Sequence, residues 1–179
     1  MSHSSSARLR VAPRPLTPEG FAAYGSVLMV PPGDDGGAGK AANQGTARRF
    51  DRLCAMENLR PTSATLNVSV FRCAPRPYPP FEVALLEKHP ASTQVFIPMN
   101  AARYLVVVAL GGDAPELGTL AAFLAEGPQA VSYRPGVWHH PMIALDQPID
   151  FVCLVHEDGS EEDCVVKDYE NAAERPIID

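Results

Sequence analysis

The chain is short of the features that mark most specialised proteins, and each shortage removes a class of function. No apolar run in its 179 residues is long enough to span a bilayer, so a membrane role has no support. Lys and Arg number 15 against 21 Asp and Glu, a formal charge of −6, and no segment gathers basic residues. Counterion release from a nucleic-acid backbone would gain little, so no nucleic-acid partner is expected. Cysteine is sparse: Cys54, Cys73, Cys153 and Cys164 stand far apart with no C-x-x-C pair, and Cys153 lies within an apolar run. Reduced thiols in the cytoplasm are the expectation, not a disulfide framework. No period repeats along the chain. Aromatic residues make up 7%, with one Trp, and His numbers five, so a segment where both types crowd together stands out.

That segment is Tyr133-Arg134-Pro135-Gly136-Val137-Trp138-His139-His140-Pro141. A Pro-Gly turn followed by an extended run sends successive side chains to opposite faces, so one imidazole of His139-His140 can enter a cavity while the other supports it from outside. The rest of the chain reads as all-β. Thr17-Pro18-Glu19 opens one short helix, with Thr17 as N-cap, and Gly25 is expected to close it. From Ser26 onward, short β-branched and apolar runs alternate with Pro, Gly and Asp clusters. Expected strands include Val27–Val30, Arg48–Cys54, Thr65–Cys73, Phe81–His89, Gln94–Pro98, Tyr104–Leu110, Gln129–Tyr133 and Ile149–His156. Many short strands at close spacing predict a sandwich or barrel. Residues 9–179 are expected to form one domain after a disordered leader at 1–8. The Gly-rich stretch Pro31–Gly45 reads as a flexible loop and Ala74–Pro80 as a stiff connector.

Period-two alternation then places the polar groups. Phe81, Val83, Leu85, Glu87 and His89 fall on one face of their expected strand, so an inward apolar face ends in an acid and an imidazole. Arg72 shares a face with Leu66, Val68 and Val70, and its planar fork of donors suits a carboxylate. Gln94 shares a face with Phe96. The order Glu87-x-His89 then Gln94, and Gly136-x-x-His139, partly echo the two metal motifs of cupin barrels. His89, Gln94 and His139, with or without Glu87, form a nitrogen and oxygen ligand set for a divalent metal. The acidic run through Glu157-Asp158 and Glu161-Glu162-Asp163, with Cys164, reads as a solvated turn.

The ordered combination Glu87-Lys88-His89-Pro90, Gln94-Val95-Phe96-Ile97-Pro98 and Gly136-Val137-Trp138-His139-His140-Pro141 resembles the ureidoglycolate lyase family of allantoin degradation, from about Leu9 to Cys164. The resemblance implies a cupin-like β-barrel of the double-stranded β-helix type, usually a homodimer, that cleaves (S)-ureidoglycolate to glyoxylate and urea. It favours nickel as the metal, with zinc second; the proton chemistry also runs without metal. In that setting Arg72 holds the carboxylate, Glu87, His89, His139 and His140 carry protons, and Tyr133 and Trp138 wall the cavity. His140 is the candidate acid for the departing urea. Arg134 stands where the family pattern has histidine and is given no role. Two other functions fit the same barrel: a non-catalytic sensor of small acids, and a cupin isomerase or oxygenase. Urea release on incubation with ureidoglycolate separates the three.

Overall fold

The computed structural model describes residues 7–31, 39–77, 79–100 and 102–179. Its layering follows from the strand Tyr104–Ala109, which is buried at every position. Tyr104, Val106 and Val108 point into one core with Phe21, Phe96, Phe123 and Phe151. Leu105, Val107 and Ala109 point the other way, into a second core with Val83, Leu86, Trp138 and Ile178. A strand covered on both faces reads as a continuous apolar run, which is how Tyr104-Leu105-Val106-Val107-Val108-Ala109 appears in sequence.

Tyr104–Ala109 is central in a seven-stranded sheet ordered Val165–Asp168, Leu85–Lys88, Trp138–His139, Tyr104–Ala109, Ala121–Ala125, Arg14–Pro15, with Ile143–Ala144 also paired to it. Facing it is a five-stranded antiparallel sheet ordered Gly25–Leu28, Ala130–Tyr133, Gln94–Pro98, Ile149–Glu157, Thr65–Cys73. The first core fills the space between the sheets. This is the all-β, two-sheeted layout expected of a cupin-like barrel. Among the described residues, no helix is long and apolar enough to cross a membrane.

Several expectations change in detail. The helix Pro18–Phe21 is capped by Thr17, whose hydroxyl accepts from the Gly20 amide at 3.1 Å, but it ends well before Gly25. Gly25 opens a strand instead, pressed so close to its neighbour that a Cβ there would lie 1.7 Å from the Ser132 carbonyl oxygen. Phe81–His89 is not one strand: Phe81–Glu82 and Leu85–Lys88 belong to different sheets. The break puts Val83 and Leu86 into the second core with Phe81 packed against it, leaves Leu85 out, and keeps Glu87 and His89 on the side of the cavity. Part of the expected loop forms a hairpin, Lys40–Ala42 with Ala47–Arg49, which replaces the longer Arg48–Cys54 strand. The rest of that loop, 32–38, lies outside the described residues, as does the leader at 1–6. Arg8, assigned to the leader, is tied down by Glu82 at 2.9 Å and the Arg175 carbonyl at 3.0 Å. All four cysteines are free thiols.

Candidate active site

Local backbone geometry brings the site together before any side chain is considered. Gly136 takes a positive φ of 79°, and its amide donates to the His89 carbonyl at 2.9 Å, locking the Pro-Gly turn onto the end of the Leu85–Lys88 strand. The strand that follows pairs His139 directly opposite Glu87. Directly opposed residues share a face and lie within side-chain reach. His139 Nε2 lies 3.6 Å from Glu87 Oε1, and the His89 and His139 rings stack at 5.8 Å. One ligand atom each from Glu87, His89 and His139 falls within 4.8 Å of the others.

Each imidazole is held by a second contact. His139 is 1% exposed; its Nδ1 donates to the Val137 carbonyl at 3.0 Å, and its ring lies on Tyr133 at 4.2 Å. A carbonyl only accepts, so Nδ1 carries a proton and Nε2 is the ring nitrogen turned toward Glu87. That Nε2 is buried without a hydrogen-bond partner. His89 Nε2 lies 3.0 Å from the Gln94 amide nitrogen, while His89 Nδ1 and Gln94 Oε1 are also buried without full partners. The Asp163 backbone approaches His89 closely enough to favour its proton, short of good hydrogen-bond geometry at Nδ1. Buried polar atoms without partners are rare and call for an explanation.

Burial and neighbouring charge set the protonation states. Burial and the His139 charge push His89 down to about 4, against the opposing pull of Glu87. Burial acts to raise Glu87, but the His139 contact and the surrounding imidazoles outweigh it and lower its carboxyl below the usual range. Burial raises the thiols of Cys153 and Cys164 to about 11. At neutral pH the site therefore holds an ionised Glu87, a neutral His89 and two protonated thiols.

Glu87, His89 and Gln94 open into a cavity of about 210 Å³ between the sheets, shared with Asn67, Ser69 and Glu157. This is below the range typical of drug-sized ligands and suits a small metabolite. No Arg or Lys occurs among its described lining residues.

Four sequence-predicted residues thus come together: Glu87, His89, Gln94 and His139. Four do not take the places expected. Arg72 lies on the outer surface, its guanidinium clasping Asp150 through bonds of 2.8 and 2.7 Å, with the side chain 79% exposed. The Thr65–Cys73 strand has the expected bounds but the opposite orientation: Leu66, Val68 and Val70 face outward with Arg72, and Asn67, Ser69 and Phe71 face the cavity. Trp138 and His140 flank His139 in an extended run, so both point away from the cavity. Trp138 fills the second core and donates to the Gly112 carbonyl at 3.3 Å. His140 borders a separate depression, where its Nδ1 contacts the Pro141 carbonyl at 2.7 Å, and is not among the residues lining the Glu87 cavity. Tyr133 supports His139 from the core side instead of walling the cavity. Glu157 and Cys164, read as solvated, line it. Arg72→Ala should accordingly leave kcat/KM within about twofold of the parent, as for an exposed surface change. A loss of tenfold or more in a steady-state assay would return the guanidinium to the site.

Comparison with known proteins bears on this geometry. The family described as ureidoglycolate lyase matches residues 8–174. Ureidoglycolate lyase of Pseudomonas syringae pv. tomato is 37% identical over 150 residues, covering 84% of each chain. That of Pseudomonas entomophila is 39% identical over 84% of this chain and 86% of its own. Among solved structures, RmlC from Streptococcus suis aligns with a TM-score of 0.38 at 13% identity, over 58% of this chain and 49% of that one, too distant to carry an argument.

Proposed function

Because the chain belongs to the ureidoglycolate lyase family and is therefore a lyase acting on ureidoglycolate, we propose that it eliminates urea at the cluster of Glu87, His89, Gln94 and His139, with the S enantiomer as substrate. The observation that carries this assignment is the juxtaposition of an ionised carboxylate with a half-buried and a buried imidazole beside a small cavity, each imidazole with a nitrogen lacking a partner.

The same cavity poses an electrostatic problem. Ureidoglycolate is an anion, and the described walls carry Glu87 and Glu157 with no Arg or Lys to offset them. A divalent cation on Glu87, His89 and His139 resolves it, and the orphaned Nε2 of His139 fits such a ligand. The donor set of two imidazoles and a carboxylate suits a divalent transition metal, and of these the family resemblance favours nickel, with zinc second. Gln94, included in the expected ligand set, instead orients His89 through its amide. When bound, the cation supplies charge stabilisation to the hydroxyl and carboxylate oxygens.

The chain's own groups handle the proton. Elimination breaks the O–H and C–N bonds of one carbon and forms a C=O and an N–H bond, so no water and no net proton are consumed. The hydroxyl oxygen and leaving nitrogen share that carbon, so one carboxylate reaches both. Glu87, ionised at neutral pH, takes the hydroxyl proton and returns it to the departing nitrogen. His139, stacked on Tyr133, holds the carboxylate's surroundings in place.

The test is urea and glyoxylate release from (S)-ureidoglycolate by purified protein, with elemental analysis before and after chelation. Turnover that disappears on chelation and returns with nickel or zinc is expected. Folded, metal-supplemented protein that releases no urea overturns the reading, and full turnover without bound metal rejects its cation.

The active form is proposed to be a cytoplasmic homodimer, consistent with four free thiols. Thr65–Cys73 is an edge strand whose outer face exposes Leu66, Val68 and Val70 at 50%, 60% and 60%. Long, apolar, unpaired edges rarely stay bare, and antiparallel pairing with the same edge of a second copy is self-complementary. Val68→Lys should shift sedimentation from dimer to monomer; a monomeric parent protein rejects the proposal.

A further inference from the structure

We infer that Asn67, Glu157 and Ser69 form the subsite that reads the ureido end of the substrate, a reading that rests on the proposed lyase site and fixes which way the molecule lies. The five-stranded sheet supplies the scale. One inward-facing row runs Asn67, Val155, Gln94, Tyr133 across four strands, and the next runs Ser69, Cys153, Phe96. Adjacent strands lie about 4.8 Å apart, so the Asn67 backbone stands roughly 10 Å from that of Gln94, whose side chain touches His89. Glu157 follows Val155 by two residues on the same face and lines the same cavity. The polar wall made by the edge strand is thus separated from the Glu87–His89 wall by about the length of a small metabolite.

The hydrogen-bonding inventory of that wall matches a ureido group. Asn67 Nδ2 donates to Glu157 Oε1, which fixes the amide and leaves Asn67 Oδ1 and the second Glu157 oxygen as acceptors. The terminal NH₂ of a ureido group offers two donors in one plane, and its carbonyl needs one donor, which the Ser69 hydroxyl provides. The carboxylate end is rejected here, because Glu157 is an acid with no described Lys or Arg lining the cavity beside it. Asn67 and Glu157 therefore read the ureido end while its carbinol carbon sits against Glu87. Val155 and Phe96 between the two walls offer only apolar contact.

A chemical double-mutant cycle tests this. The substrate analogue replaces the terminal NH₂ by CH₃, keeping shape and the same C–N bond to an amide nitrogen, with acetamide leaving in place of urea, but removing both donors. A site built to satisfy hydrogen bonds discriminates strongly against an analogue that lacks them. The parent enzyme should favour ureidoglycolate by at least about a hundredfold in kcat/KM, whereas Asn67→Ala and Glu157→Gln should each cut that preference by about tenfold or more, mainly by raising KM for ureidoglycolate. A parent enzyme that accepts both compounds equally overturns the inference. Variants that keep the parental preference overturn it too, as do variants that lose both activities in equal measure, since a merely structural role predicts that pattern. Failure of the parent enzyme to release urea at all is a separate result, which removes the lyase site and not this subsite alone.

Discussion

His139→Ala is expected to lower kcat/KM for ureidoglycolate by about a thousandfold while leaving a folded protein. Three contacts converge on this ring: Nδ1 on the Val137 carbonyl at 3.0 Å, the Tyr133 face at 4.2 Å, and Nε2 aimed at Glu87 from 3.6 Å. The first two fix the ring's plane so that the third can act, and losing an oriented imidazole of this kind removes both the proposed ligand and the contact that lowers the Glu87 carboxyl. Excising a buried ring also leaves a void, costing about 1–3 kcal/mol of stability, which a domain of this size can absorb. Circular dichroism and thermal melting separate that cost from catalysis. Imidazole added to the variant should restore part of the rate, because the void has the shape of the ring it lost. Near-parental turnover in well-folded variant protein would remove His139 from the mechanism.

The parts of this site that were legible in sequence are those governed by local geometry. A Pro-Gly turn before Trp138-His139-His140 forces alternation, so one imidazole had to enter the barrel while its neighbours faced away, and the register with Glu87 did the rest. What alternation does not reveal is which face is inside. In Thr65–Cys73 the apolar set faces outward because the strand is an edge with an uncovered outer face, while its polar set lines a cavity, the reverse of an ordinary half-buried strand. Arg72 was misplaced for that reason, and Asn67 and Ser69 were overlooked with it. His140 was drawn into the site by adjacency to His139, although adjacency on a strand separates side chains. Glu157 and Cys164 looked solvated because acidic residues surround them. Arg60, far away in sequence, reaches Asp158 at 3.0 Å and also clasps Asp163, folding the acidic run against the barrel. No local pattern announces a clamp of that sequence separation.

Glu87→Gln should be as damaging as any change in the cavity, lowering kcat by about 10²- to 10⁴-fold, since glutamine keeps the shape but neither accepts the hydroxyl proton nor carries charge. Its pH behaviour distinguishes the roles. In the parent enzyme Glu87 is held below the ordinary carboxylate range and His89 at about 4, so both stay in their working forms well into mild acid. The acid limb of kcat/KM should therefore fall near pH 4 and not near 6.5, the ordinary value for a free imidazole. Stability follows a different window. His89 binds a proton more readily unfolded than folded, so the metal-free protein should lose stability as pH drops from about 6.5 toward 4, and the lowered Glu87 adds to that loss as it protonates. Glu87→Gln removes the carboxylate that opposes the downward pull on His89, so the residual activity should persist to still lower pH while metal content falls. If the variant keeps its metal and loses only rate, Glu87 is the proton carrier alone. If it loses metal and regains the parental rate on saturation with nickel, the carboxylate is a ligand and the proton passes elsewhere.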